Sequence, residues 1–178
     1  MYGVALTQNA VGVLYNIKHF QELNLSIPQT WDEFIEVMKA LKAAGKTPLL
    51  MPNKDANKSS IFNLNFVAND LNNHYWEQKS FFISKNTVWR DISDKTITAL
   101  SSVQKNSFQD NFFEVNRKFA AGEGAMYVMG TWALSEIEKN NPNVHYGIFP
   151  FQDDYPNFNN VKTVLVVLEN LPKPFFQN

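Results

Sequence analysis

The spacing of apolar positions changes period several times along this chain, and each change marks an element. Residues 4–6 and 10–15 are rich in β-branched and aromatic side chains and read as one extended strand or two short ones. Polar Thr7, Gln8 and Asn9 separate them. The clearest helix begins at Thr30, where Phe34, Val37, Met38 and Leu41 recur at helical spacing. Pro28 precedes it, Thr30 is a good N-cap, and Glu33 three residues later completes a capping box. Asp32 and Glu33 suit the positive end of the helix dipole, and Gly45 suits the left-handed position just past the end.

Further along, residues 47–51 read as a strand in which Pro48 fits only near the start. A polar loop over 52–60 follows. A helical pattern then runs over 60–76, carried by Ile61, Leu64, Phe66, Val67 and Leu71. Residues 79–90 have no clear period. Residues 94–105, around Ile97, Leu100 and Val103, and residues 112–121 read as short helices, the second ending at Gly122. A turn at 122–124 leads into an apolar strand over 125–129, and a further helix starts near Thr131. A last strand, 144–149, lies between Pro142 and Pro150. Strands alternating with helices predict an α/β fold with a largely parallel sheet.

Composition narrows the function. The 178 residues suffice for one domain and fall short of two full lobes. A net charge of −1 gives no electrostatic reason to expect nucleic acid or an anionic membrane as partner. There is no cysteine, which excludes disulfides and thiolate metal sites, and no apolar run long enough to span a bilayer. His19, His74 and His145 are far apart, and Asp153 and Asp154 lack the alternating pattern of a calcium loop, so no metal or other cofactor is expected. No nucleophile elbow, phosphate-binding loop or dinucleotide fingerprint occurs, so the chain does not read as an enzyme. Aromatic residues make up 14 %, and most of these serve a core.

One aromatic has a special address. Trp132 stands where the strand over 125–129 hands over to the next helix. In open α/β sheets, ligands bind in the crevice outside the carboxyl ends of strands. A Trp there either packs into the core or offers a flat apolar face to a ligand such as a sugar ring, whose C–H face stacks without desolvating hydroxyls. Thr131 beside it reads as an N-cap, alone or with neighbouring amides turned to ligand.

Three segments carry a family resemblance: Gly130, Thr131 and Trp132 at this junction; Thr30, Trp31, Asp32, Glu33 and Phe34 with the helix running to Gly45; and the turn Tyr15, Asn16, Ile17 and Lys18. Over about residues 2–154 the chain resembles the bacterial extracellular solute-binding proteins that feed sugars to ABC importers, the maltodextrin-binding-like group. Ile17 between Asn and Lys departs from that pattern, as does the lack of an aromatic near Asn57.

The resemblance implies a lobe of the type II periplasmic-binding-protein fold: mostly the second, C-terminal lobe, beginning at the hinge crossing and occupying residues 1–154. Residues 155–178 form a divergent tail, with an apolar run at 161–167. It implies that Trp132 stacks on sugar, that Gln8 and Asn9 in the crossing segment line the cleft, and that Trp31 is a packing residue. Amides and carboxylates suit sugar hydroxyls because they supply donors and acceptors. Asp55 and Asn57, with Lys58, could therefore reach the ligand from the loop over 53–59, or that loop is simply solvated.

The implied function is carbohydrate capture as the substrate-binding component of an ABC importer, outside the cytoplasmic membrane. Its partners would be a sugar or oligosaccharide and the permease subunits, with the chain itself a monomer. Both ends differ from the family pattern, which reads as a truncated copy. A fragment without binding activity and a carbohydrate-active enzyme are the competing readings.

Overall fold

The computed structural model describes residues 9–71 and 87–151. Gln8, the strand expected at 4–6, residues 72–76 of the long helix, most of the segment 79–90, the Asp153 and Asp154 pair, the boundary at 154 and the tail with its run at 161–167 lie outside the described residues.

Within them the chain runs β1 (Val11–Asn16), α1 (Ile17–Glu22), α2 (Trp31–Ala43), β2 (Leu49–Leu50), α3 (Ala56–Leu71), α4 (Thr87–Leu100), α5 (Phe112–Ala120), β3 (Met126–Gly130), a 3-10 turn (Thr131–Ala133), α6 (Leu134–Asn140) and β4 (Tyr146–Phe149). The four strands form one sheet in the order β2-β3-β1-β4.

The sheet is mixed rather than largely parallel. β2 and β3 run parallel, but β1 is antiparallel to both β3 and β4. The connection from β1 to β2 explains the reversal. It contains α1, a connector and then α2, about 20 Å long at 1.5 Å per residue, which returns the chain to the edge it left. Lys46, just past α2, accordingly meets Glu22 at the end of α1, at 2.6 Å. A single crossover helix would have produced a parallel pair.

Local signals fold largely as they read. Thr30 Oγ1 accepts the Glu33 N–H at 3.2 Å, while the Glu33 carboxylate reaches back past Thr30 to the Gln29 N–H at 2.6 Å. Gly45 takes φ 73°, and the Lys46 N–H closes onto the Leu41 carbonyl at 2.9 Å. Asn16 does more than form a turn: its side chain caps α1 by accepting the His19 N–H. α5 carries a full capping box between Asn111 and Glu114.

β2 is shorter than expected, yet the carbonyls of Thr47 and Pro48 already accept from Ala125 and Met126 of the facing segment at 2.9 and 3.0 Å. α4 starts at Thr87, seven residues before the helix read from 94. Its inner face carries Ile92, Lys95 and Ala99, while Ile97, expected on the apolar face, is exposed. This lysine is 8 % exposed on the inner face, paired with Asp91 at 3.0 Å and lying over the rings of Trp31 and Phe66.

Alternate strand residues feed two cores, one on each sheet face. Val13, Leu49, Met126 and Phe149 join Trp31, Phe34, Leu41, Phe62 and Phe66 on one side. Leu14, Leu50, Tyr127 and Met129 join Val115, Phe119, Leu134 and Ile137 on the other. Trp31 is buried against Phe34 and Phe66, a packing residue as expected.

Candidate functional site

Because β2 and β3 are parallel, their carboxyl ends share one edge, and the register Val11↔Gly130 brings the start of β1 to the same place. Asn9 and Ala10 before β1, the loop after β2 and the Gly130–Trp132 junction, distant in sequence, therefore converge there.

Thr131 is tied to Ala10 rather than capping a helix. It is the first residue of the 3-10 turn, whose N-cap is Gly130. Its N–H donates to the Ala10 carbonyl at 2.8 Å, and its hydroxyl accepts the Ala10 N–H at 3.2 Å. The same hydroxyl faces the exposed Asn9 across 3.4 Å, donating to its Oδ1. The N-cap expected of Thr131 is thus displaced by a cross-segment staple, because β3 continues one residue further than the pattern implied and ends at Gly130.

Trp132 is half-buried at the rim of the second core. Its indole folds back over Gly130, where a Cβ would fall 2.0 Å from Cζ3. A glycine is required for that posture, which explains the Gly before the Trp. The indole Nε1 is buried without a hydrogen-bond partner among the described residues. Lys58, in the first turn of α3, places its ammonium 5.6 Å over the Trp132 ring and 5.2 Å over that of Phe112. Phe112 in turn packs edge-on against the exposed Phe113.

Asp55 is committed to holding two segments together. Its Oδ2 accepts the Phe112 N–H at 2.7 Å, pinning the start of α5 to the loop after β2. Burial, reinforced by the Asp55 charge, pushes the Tyr127 phenol far up, so it stays neutral. The same loop is held from below by Gln104, whose amide bonds both the N–H and the carbonyl of Met51 and also the Asp110 carboxylate. Lys118 closes that cluster on Asp110 at 2.6 Å. Asn57 is exposed on the first turn of α3.

The site residues read from sequence therefore divide. Trp132, Thr131, Asn9 and Asp55 share this edge, with Asn57 in the turn next to Lys58, while Gln8 lies outside the described residues. The role of Phe112 went unread. An aromatic doublet in the first turn of a helix, too wide for one apolar face to bury, was the available signal.

A cleft of about 360 Å³ opens on the opposite edge, lined by Asn16, His19, Glu22, Lys46, Gly122 and His145 among others. Its charges already pair, Glu22 with Lys46 at 2.6 Å and with Lys18 at 3.9 Å. Burial foremost, then Lys46, holds His19 below its ordinary pKa. Among the described residues its lining includes no Trp, Tyr or Phe to stack on, so the Trp132 edge is the better ligand candidate.

The fold is a partial lobe of the type II periplasmic-binding-protein class, as in the solved structure of RafE. The model of the bacterial extracellular solute-binding proteins matches residues 1–174, and the chain belongs to that family. It is 27% identical over 160 residues to the multiple sugar-binding protein of Streptococcus mutans, covering 85% of this chain and 38% of that protein. The apo form of RafE from Streptococcus pneumoniae superposes with a TM-score of 0.72 at 28% identity, over 83% of this chain and 40% of that one. RafE in complex with raffinose gives 0.66 at 27% identity, over 82% and 40%. A chitin oligosaccharide binding protein shares the fold at 22% identity, with a TM-score of 0.68 over 82% and 38%. The chain thus spans about two fifths of the length of these relatives.

Proposed function

We propose that this chain carries one face of the sugar cleft in the substrate-binding component of an ABC importer. The observation that carries the reading is Trp132, its indole seated on Gly130 at the carboxyl edge of the sheet. A pyranose would lay its C–H face on that indole, and its hydroxyls would bond Asn9, Thr131 and Asn57, with Gln8 and the remaining Asp55 oxygen adding acceptors. No bond is made or broken. Capture requires a second lobe closing by hinge motion over the sugar, followed by docking of the closed monomer on the permease subunits.

Membership of an extracellular solute-binding family and relatives that bind sugars support this reading over an enzyme. A lipid anchor or free periplasmic location would follow from the host envelope. With one face of the cleft present, sugar binding should be in the range of about 1 mM, near −4 kcal/mol.

The test is Trp fluorescence of the purified chain titrated with raffinose and a panel of oligosaccharides, beside Trp132→Ala. A weak saturable change that vanishes in the variant is expected. A folded chain that responds to no sugar, or a response that survives Trp132→Ala, refutes the stacking site. Micromolar affinity by calorimetry would refute the one-face argument.

A further inference from the structure

We infer that Lys58 is a resident occupant of the stacking platform, and that a sugar seats on Trp132 only by displacing it. The inference rests on the reading of Trp132 as a sugar platform.

The Lys58 ammonium stands over two rings at once, 5.6 Å from the Trp132 centroid and 5.2 Å from that of Phe112. These are cation–π distances. Among the described residues no carboxylate lies within ion-pair distance of it. Asp55, one turn earlier, is engaged instead by the Phe112 N–H at 2.7 Å.

The backbone of Lys58 is anchored, because its N–H donates to the Asp55 carbonyl at 2.8 Å in the first turn of α3. Phe112 is held to the same residue through Asp55. The lysine and one of its two rings are thus fixed to a common point, and the long, flexible side chain is the free part. The indole is backed on its six-membered ring by Gly130. A pyranose lying on the indole at van der Waals distance needs volume that the ammonium fills. The lobe therefore shields its own aromatic face with a charge, which keeps an apolar patch wet and makes every ligand compete with an internal cation.

Displacement gives two measurable signatures. Reductive methylation with ¹³C-formaldehyde labels each lysine and keeps its charge. The Lys58 methyl resonance, assigned by its loss in Lys58→Arg, should be shifted upfield by the ring currents of Trp132 and Phe112, and less so in Trp132→Ala. Raffinose, added to the same sample, should move that resonance toward the position of exposed lysines such as Lys39. In parallel, Lys58→Ala removes the competitor and should tighten raffinose binding by about two- to fivefold, the worth of one exposed cation–π contact.

The inference is overturned if no lysine methyl is ring-shifted, or if raffinose saturates the Trp132-dependent fluorescence while the Lys58 resonance stays put. Weaker binding by Lys58→Ala would overturn it too, making the ammonium a hydrogen-bonding contact of the sugar. If no sugar elicits a Trp132-dependent signal although the ring shift is present, the platform reading fails, and displacement falls with it. The ring shift separates that outcome from failure of the lysine seat itself.

Discussion

Replacing Gly130 by alanine should unseat Trp132 while leaving the sheet intact. The added Cβ would lie 2.0, 2.2 and 2.4 Å from Cζ3, Cη2 and Cε3 of the indole. Ordinary carbon contacts are about 3.5–4.0 Å, so the ring must retreat by more than about 1 Å. The backbone offers no resistance of its own, since Gly130 sits at φ −87° and ψ 162°, which any L-residue adopts. The whole cost therefore falls on the ring, through overpacking of about 1–3 kcal/mol unless the indole swings out into solvent. For a chain of this size that corresponds to a fall in Tm of about 2–4 °C per kcal/mol.

The decisive form is a double-mutant cycle. Gly130→Ala, Trp132→Ala and the double variant are compared by urea unfolding and by raffinose-dependent fluorescence. Alanine at 130 should be close to neutral once the indole is gone, giving a coupling of about 1–3 kcal/mol. The single variant should also lose the sugar response. Additive effects, or a Gly130→Ala protein with unchanged indole emission and sugar response, would refute the claim that the glycine exists to seat the ring.

Two further outcomes are expected. Asp55→Ala removes the acceptor of the Phe112 N–H and should destabilise the chain by about 1.5–3 kcal/mol, as for hydrogen bonds to charged groups, readable by urea unfolding; a change under about 0.5 kcal/mol would refute the anchoring role. The pKa of His19 is held below its ordinary 6.5 by burial first and by Lys46 next. The unfolded chain then takes up the proton before the folded one, so stability should be full above about pH 6.5 and decline as pH falls through it. His19→Gln should flatten that decline between about pH 5 and 7; an unchanged slope would assign it elsewhere. Glu22, also lowered, acts below its ordinary value of 4.5, outside that window.

Much of this protein is written in short-range pattern. Thr30 with Glu33, the apolar stripe from Phe34 to Leu41 and the positive φ of Gly45 specify α2 without reference to the rest of the chain, because capping, periodicity and glycine's freedom act over a few residues. The Trp at the end of an apolar strand likewise marks the candidate ligand edge by its position in the chain alone. Where a charged residue turned inward, the pattern misled: in α4 Lys95 is buried, while Ile97, read as part of the apolar face, is exposed.

Three things were decided by the tertiary structure alone. The direction of β1 follows from the two-legged path through α1 and α2. The Thr131 hydroxyl meets Ala10, 121 residues away, instead of capping a helix. Lys58, Phe112 and Trp132 form one group although the chain separates them widely. The physical reason is common to all three. Local preferences fix φ, ψ and which face is apolar, but which distant side chains meet depends on sheet register and helix docking, which only the assembled core sets.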